Sequence, residues 1–255
     1  DAAIDSWKLV LKINPDYAEG YFNLGNALAG KGELDAAIDS YKQALKINPS
    51  SSQAYNNMGL ALADQGQMEE AIEAYNKALT INPNYAGAWN NLGLALVRQD
   101  KLEEAIVSYT KALSLKPNYA EVYNNMGIVL ADQGKLDEAI EAYTKALLPK
   151  PDFAHAYNNM GAALRDQGNL KEAIEACNKA LTIKPDFFQA YSNIGNALRD
   201  QGNLEEAIEA YNKALSLNPD YAEAYNNMGL ALTRQDKIEE AIEAFSKVLL
   251  LKSDC

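Results

Sequence analysis

Between Tyr55 and Leu79 the apolar residues fall into two helical runs. Tyr55, Met58, Gly59 and Leu62 recur at i, i+3, i+4 and i+7, the spacing of one helix face. Gln65-Gly66 interrupts that run, with glycine suited to a left-handed helix end. Met68, Ala71, Ile72, Tyr75, Ala78 and Leu79 then mark one face of a second helix. Glu69 and Glu70 in its first turn, and Lys77 nearer its end, match the helix dipole. Pro83 forbids continuation. The pattern predicts a helix–turn–helix unit.

The unit is repeated. Pro15, Pro49, Pro83, Pro117, Pro151, Pro185 and Pro219 each follow the last by 34 residues, with no insertion between them. Tyr21, Tyr55, Trp89, Tyr123, Tyr157, Tyr191 and Tyr225 share one register, and Gly25, Gly59, Gly93, Gly127, Gly161, Gly195 and Gly229 another. The alanines from Ala37 to Ala241 share a third. Such a period signals a solenoid, in which no helix pair buries its apolar face alone and stacked neighbours build one core. Asp16…Glu19, Ser50…Gln53, Asn118…Glu121 and Asp220…Glu223 have the spacing of capping boxes at the entries to the first helices.

This succession of W/Y-x-x-L/M-G, A-x-x-x-Y/F and P resembles the tetratricopeptide repeat (TPR). It covers residues 15–48, 49–82, 83–116, 117–150, 151–184, 185–218 and 219–252 as seven full repeats. Residues 1–14 match the second half of another, and 253–255 form a tail. The resemblance implies an all-α fold, an α-solenoid wound as a right-handed superhelix of fifteen helices in one domain.

Asparagine is a poor helix former, because its amide competes with the backbone for hydrogen bonds. Yet "AYNNMG" recurs at Ala54–Gly59, Ala156–Gly161 and Ala224–Gly229. At about 100° per residue, Gln53, Asn57, Leu60 and Asp64 fall on a stripe opposite the packing side of the first helix. Stacked repeats would bring these stripes together as the inner surface of a groove. The second asparagine stands in every repeat: Asn23, Asn57, Asn91, Asn125, Asn159, Asn193 and Asn227. Such a ladder suits the backbone of an extended peptide. The resemblance implies the same, since the inner groove of TPR proteins holds peptides and the repeat domain of O-GlcNAc transferases is similar in its asparagine ladder. The other reading is that the amides tie one repeat to the next. Asn56, Asn90, Asn124, Asn158 and Asn226, one residue earlier, sit on the flank, where a structural role is expected.

Two further stripe positions vary. Leu60, Leu94 and Ile128, adjoined by Val97, would form an apolar floor and so an interaction site, unless neighbouring helices bury them. Asp64, Asp132, Asp166 and Asp200 give another position an acidic excess, which favours basic or hydroxyl-rich partners. Lateral pairing such as Asp64–Arg98–Asp132 is the alternative. TPR domains that clamp a C-terminal carboxylate carry lysine at the flank position. Here it is Phe22, Asn56, Asn90, Asn124, Asn158, Ser192 and Asn226, so no clamp is expected.

A net charge of −12 disfavours nucleic acid, which requires a basic patch. No apolar run approaches the roughly 20 residues that span a membrane. Two cysteines, Cys177 and Cys255, make no disulfide framework and point to a reducing, cytoplasmic setting. His155, the single histidine, excludes histidine relays and multi-histidine metal sites and is expected to be solvated on the inner stripe. Cys177 stands in the register of Tyr41, Tyr75 and Tyr109, and reads as a small core residue that loosens its repeat. No catalytic residue, metal or cofactor is expected.

Pro149 replaces the Ile or Leu of other repeats, so the second helix of the fourth repeat should end early and leave a soft joint after it. Val248, Leu249 and Leu251 give the last helix an apolar side, which suggests end-to-end association or a continuation. The start at Asp1 suggests an excised piece. The reading is a non-catalytic interaction scaffold. A substrate-recruiting arm of a larger enzyme such as a glycosyltransferase, and a self-assembling or designed module, remain as alternatives.

Overall fold

The computed structural model of the chain describes residues 2–253, with side chains from 2 to 251. Fifteen α-helices account for about four-fifths of these residues. They run α1 (Ala2–Ile13), α2 (Ala18–Gly30), α3 (Leu34–Ile47), α4 (Ser52–Asp64), α5 (Met68–Ile81), α6 (Ala86–Arg98), α7 (Leu102–Leu115) and α8 (Ala120–Asp132). The series continues with α9 (Leu136–Leu147), α10 (Ala154–Asp166), α11 (Leu170–Ile183), α12 (Phe188–Gln201), α13 (Leu204–Leu217), α14 (Ala222–Arg234) and α15 (Ile238–Ser253). Even-numbered helices are the first helices of the repeats and odd-numbered ones the second. The fold is the all-α repeat solenoid that the 34-residue period predicts.

The chain divides into two compact units, Asp1–Asn125 and Met126–Cys255, with the division inside α8. In the first unit α2 packs on α3, α4 on α5 and α6 on α7, and the second helices α1, α3 and α5 pack on the first helices α2, α4 and α6 that follow them. Adjacent first helices also touch, α2 with α4 and α4 with α6. The second unit repeats this arrangement from α9 to α15, with contacts of α10 with α12 and α12 with α14.

The core of every full repeat but the fifth is a ring packed on a glycine. Tyr75 is 1% exposed. A Cβ added to Gly59 would stand 2.6 Å from its Cε1, so only glycine lets α4 and α5 approach this closely. Tyr41, Tyr109, Tyr143 and Tyr211 are buried in the same register, and Cys177 takes the place in the fifth repeat at 1% exposure. Burial pushes the Cys177 thiol up to about 12, which marks it as a core side chain. Cys255 lies outside the described residues.

The turns behave as the sequence predicts, with one variation. Gly66 has φ +81°. Two repeats place Asp100 (φ 59°) and Asp236 (φ 63°) at the corresponding turn, aspartate being among the few residues that tolerate this region.

The predicted capping boxes are corrected. Helix α2 starts at Ala18 and α14 at Ala222, so their N-caps are Tyr17 and Tyr221, neither with a side-chain cap bond. Asp16 and Asp220 therefore lie one residue outside the cap. Among the helix starts whose caps are described, a hydroxyl serves in α4 alone: Ser51, not Ser50, accepts from the Ala54 N–H at 3.2 Å. The turns are held instead by Asn48, Asn82 and Asn218, whose Oδ1 atoms accept from the backbone N–H groups of Ser50, Asn84 and Asp220.

Pro149 acts as expected. Helix α9 ends at Leu147 after 12 residues, whereas α5, α7, α11 and α13 each have 14.

Candidate functional site

The first helices carry a chain of side-chain amides through the first unit. Asn125 Nδ2 donates to Asn90 Oδ1 (3.2 Å), and Asn90 Nδ2 to Asn91 Oδ1 (3.3 Å). Asn91 Nδ2 donates to Asn56 Oδ1 (3.0 Å), and Asn56 Nδ2 to Asn57 Oδ1 (3.1 Å). Asn57 Nδ2 ends the chain on Asn26 Oδ1 (2.9 Å), which also accepts from the Tyr41 hydroxyl at 2.9 Å. Every link between repeats therefore runs from a second asparagine back to the preceding repeat. The flank residues are the buried ones, Asn56 at 4% and Asn90 at 8% exposure, while Asn57 and Asn91 are half-buried. Burial of these polar groups is tolerated because each is paired.

The second unit holds the same motif, with a break. Asn193 Nδ2 donates to Asn158 Oδ1 at 2.9 Å, and Asn158 Nδ2 to Asn159 Oδ1 at 3.4 Å. Ser192 then stands where a flank asparagine would, and Asn227 accepts from the Arg199 guanidinium instead, at 3.3 Å. Asn196, buried in α12, accepts from the Tyr211 hydroxyl at 2.8 Å, as Asn26 does from Tyr41.

A second tie between repeats was not anticipated from the sequence. Gln65 Nε2 donates to Asp35 (2.8 Å), Gln99 to Glu69 (2.8 Å) and Gln167 to Asp137 (2.6 Å). Each joins a turn to the first turn of the preceding second helix. The Gln-Gly and Gln-Asp turns read as helix ends alone, because the partner lies 30 residues away.

The predicted apolar positions are open to solvent: Leu60 is 41% and Leu94 40% exposed in the first unit, and Ile128 37% in the second. Neighbouring helices do not cover them. Val97 is half-buried. Asp64 and Asp132 are exposed. Arg98 Nη1 donates to the Ala63 carbonyl of the preceding repeat at 3.2 Å. Asp166 and Asp200 are compensated locally, by Arg165 at 2.6 Å and Arg199 at 3.1 Å, with Arg165 also 3.9 Å from Asp200.

His155 is exposed, as expected, and its ring lies beside two aromatic rings. Its ring lies 4.9 Å from that of Phe187 and 6.2 Å from that of Phe153. Partial burial and the charges of Lys184 and Lys150 lower its pKa. Among the described residues no cluster of three or more His, Cys, Asp or Glu side chains is arranged to hold a metal. No helix among them is long and apolar enough to cross a membrane.

The fold and these glycine–ring and asparagine registers define a tetratricopeptide repeat protein, and comparison with known proteins agrees. The family model described as "Cilia and flagella-associated protein 70 C-terminal domain", itself labelled as a TPR model, matches residues 1–182. Tetratricopeptide repeat models match residues 176–209, 195–236 and 222–255. The chain belongs to this family of repeat domains, whose members generally mediate protein–protein interaction and are typically non-catalytic. Curated proteins gave no match. Among solved structures, YrrB, described as a TPR protein with an unusual peptide-binding site, is 28% identical over 74% of this chain and 97% of its own, with a TM-score of 0.60. MamA is 33% identical over 64% of this chain and 95% of its own, also with a TM-score of 0.60. A TPR protein from Parabacteroides merdae shares the fold at a TM-score of 0.77, with 20% identity over 92% of this chain and 93% of its own.

Proposed function

We propose that the chain is a non-catalytic scaffold that takes an extended peptide or a segment of a partner protein along the face of its first helices. The observation that carries this reading is the exposure of Leu60 and Leu94 beside the half-buried ladder amides Asn57 and Asn91. Two leucines at the same position of adjacent repeats give a partner apolar anchors. A primary amide has two N–H donors and two acceptor lone pairs. Asn57 and Asn91 each spend one N–H on the preceding repeat and one lone pair on a neighbouring flank amide. On Asn91 one donor and one acceptor remain for a peptide backbone, whereas Asn57 also meets the Tyr41 hydroxyl and keeps an acceptor. On this reading the ladder would hold a peptide as well as joining the repeats.

Asn125 would extend this surface within the first unit, and in the second unit Ile128, Asn159, Asn193 and Asn227 would offer a surface of the same kind. Basic or hydroxyl-bearing partner residues would meet Asp64 and Asp132, while Asp166 and Asp200 are already neutralised by arginines. The test is a paired capture with the wild-type chain and a Leu60→Ser, Leu94→Ser variant of unchanged helix content. Partners lost by the variant alone support the reading, and identical captures move the site elsewhere. A second contact surface is favoured on α15, where Leu249 of the predicted apolar side is 71% exposed, while Val248 and Leu251 are half-buried. Self-association through it would appear as concentration-dependent mass in sedimentation.

A further inference from the structure

We propose that the cleft between α2 and α4 in the first unit takes a tyrosine side chain of a partner peptide. The inference rests on reading the first-helix face as a peptide-binding surface, and it names the side chain that one place on it receives.

The residue before each first helix is aromatic in six of the seven full repeats: Tyr17, Tyr85, Tyr119, Phe153, Phe187 and Tyr221. In the second repeat it is Ser51. The sixth and seventh repeats show where such a ring goes. Phe187 packs in one cluster with Ala154 and Ala180. Tyr221 packs against the cluster that holds Ala214, and its ring lies 4.9 Å from that of Phe188, edge to face. In register, Ala154 and Phe188 correspond to Ala18, and Ala180 and Ala214 to Ala44. Ala18, Ala44 and Ser51 line one cleft of about 240 Å³. The space that a ring fills in those repeats is open here, because serine is short and its Oγ is turned to the Ala54 N–H.

An apolar cavity of about 150 Å³ already admits benzene, so the cleft has room for a phenol ring. A second departure from the register borders the same cleft. Phe22 stands where the other repeats carry asparagine or serine, and it forms part of the wall. The joint thus lacks a ring of its own and presents an aromatic surface to another. The rest of the lining is polar, with Glu19, Asn23 and Gln53, of which Asn23 and Gln53 belong to the inner stripe. The chain's own tyrosines show how a hydroxyl is received at this register. Tyr17 donates to Glu19 at 3.1 Å and Tyr221 to Glu223 at 2.9 Å, each two residues on. Two residues on from Ser51 is Gln53, whose side-chain carbonyl accepts in the same way. The Glu19 carboxylate on the wall repels the charge of a phosphotyrosine, so the unmodified phenol is the ligand.

The probes are N-acetyl-tyrosinamide and its phenylalanine and alanine analogues, titrated against the isotope-labelled chain by NMR. The tyrosine probe should shift the resonances of Ala18, Phe22 and Ser51 and bind about tenfold more tightly than the alanine probe. The phenylalanine probe, without the hydroxyl, should bind about threefold more weakly than tyrosine. Ser51→Tyr restores the ring of the other repeats and should weaken tyrosine binding by about tenfold at unchanged helix content. Ala18→Phe, after Phe188, fills the cleft from its other wall and should do the same. Ser51→Gly also removes the cap hydroxyl but leaves the cleft open, and should bind the probe within about twofold of wild type. Equal binding of the tyrosine and alanine probes, or tyrosine binding that neither filling variant weakens, overturns the proposal. A phenylalanine probe as tight as tyrosine overturns the choice of a phenol. Any of these results leaves the scaffold reading to the Leu60→Ser, Leu94→Ser captures, which do not touch the cleft. Conversely, captures insensitive to those leucines, with tyrosine binding that Ser51→Tyr abolishes, would retain the cleft alone.

Discussion

Asn91 donates through Nδ2 to the Oδ1 of Asn56, 35 residues earlier, at 3.0 Å. Asn56 in turn donates to Asn57, which reaches back to Asn26. The two asparagines of the pairs at 56/57 and 90/91 thus divide the work. The flank residue is buried and relays, and the stripe residue spans to the preceding repeat while keeping polar capacity toward solvent. Asparagine in mid-helix is a local cost that stacking turns into a specific joint.

Removing a relay should therefore be expensive. Asn56→Ala leaves the Asn91 amide and the Asn57 oxygen without partners, at an expected cost of about 1–3 kcal/mol. Asn226, exposed in α14, is an internal control whose replacement by alanine should change stability by less than about 0.5 kcal/mol. Urea unfolding followed by circular dichroism compares the two, and equal midpoints would remove the relay from the account.

Three glycines should respond differently to alanine. Gly59→Ala places a methyl 2.6 Å from Tyr75 and should cost about 1–3 kcal/mol by overpacking. Gly66→Ala meets open space but has φ +81°, so strain of about 1 kcal/mol is expected. Gly30→Ala, within α2 and with nothing inside 4 Å, should stabilise by about 0.4–1 kcal/mol. Thermal midpoints in that order would check the ring-on-glycine core, and a neutral Gly59→Ala would count against it.

The pH dependence has two limbs. Burial raises the tyrosine hydroxyls, Tyr41 to about 12 and Tyr75, Tyr109, Tyr143 and Tyr211 further. In the unfolded chain they ionise near pH 10. Their contribution is intact below that value and is lost as pH rises past it toward the folded pKa values. His155 is shifted the opposite way, lowered by desolvation and then by Lys184 and Lys150. Its neutral form is favoured on folding, so that contribution is present above about pH 6.5 and lost as pH falls below it. Absorbance of tyrosinate and helix signal should change together on the alkaline side. Tyrosines that ionise in one step near pH 10 with the helices intact would contradict the burial described here.

Pro149 should make the end of α9 less protected than the ends of α5 and α11. Hydrogen exchange is expected to be faster there, and Pro149→Leu, which restores the residue type of Leu115 and Leu217, should slow it. Uniform exchange at all these ends would refute a soft joint.

Much of the fold was legible because each repeat restates it. Glycine, tyrosine and proline in one register mark the helix pair, and Pro149 marks the short helix. Helix starts were misplaced by one residue at Asp16 and Asp220, because capping-box spacing also arises where asparagine closes a turn. The inner face was legible in direction but not in partnership. Asn57 faces as its stripe implies, yet the bond to Asn26 depends on how repeats abut. The ring contacts of His155 were missed, because they depend on Phe153 and Phe187 lying against one imidazole.

The most direct test of the scaffold account is site-specific photo-crosslinking. One chain carries the crosslinker at Leu94, on a first helix, and another at Val107, which is 60% exposed on the second helix α7. The account predicts that a captured partner crosslinks from position 94 and not from 107. Crosslinking from 107 with none from 94 would place the partner on the second helices and leave the asparagine ladder as a joint between repeats alone.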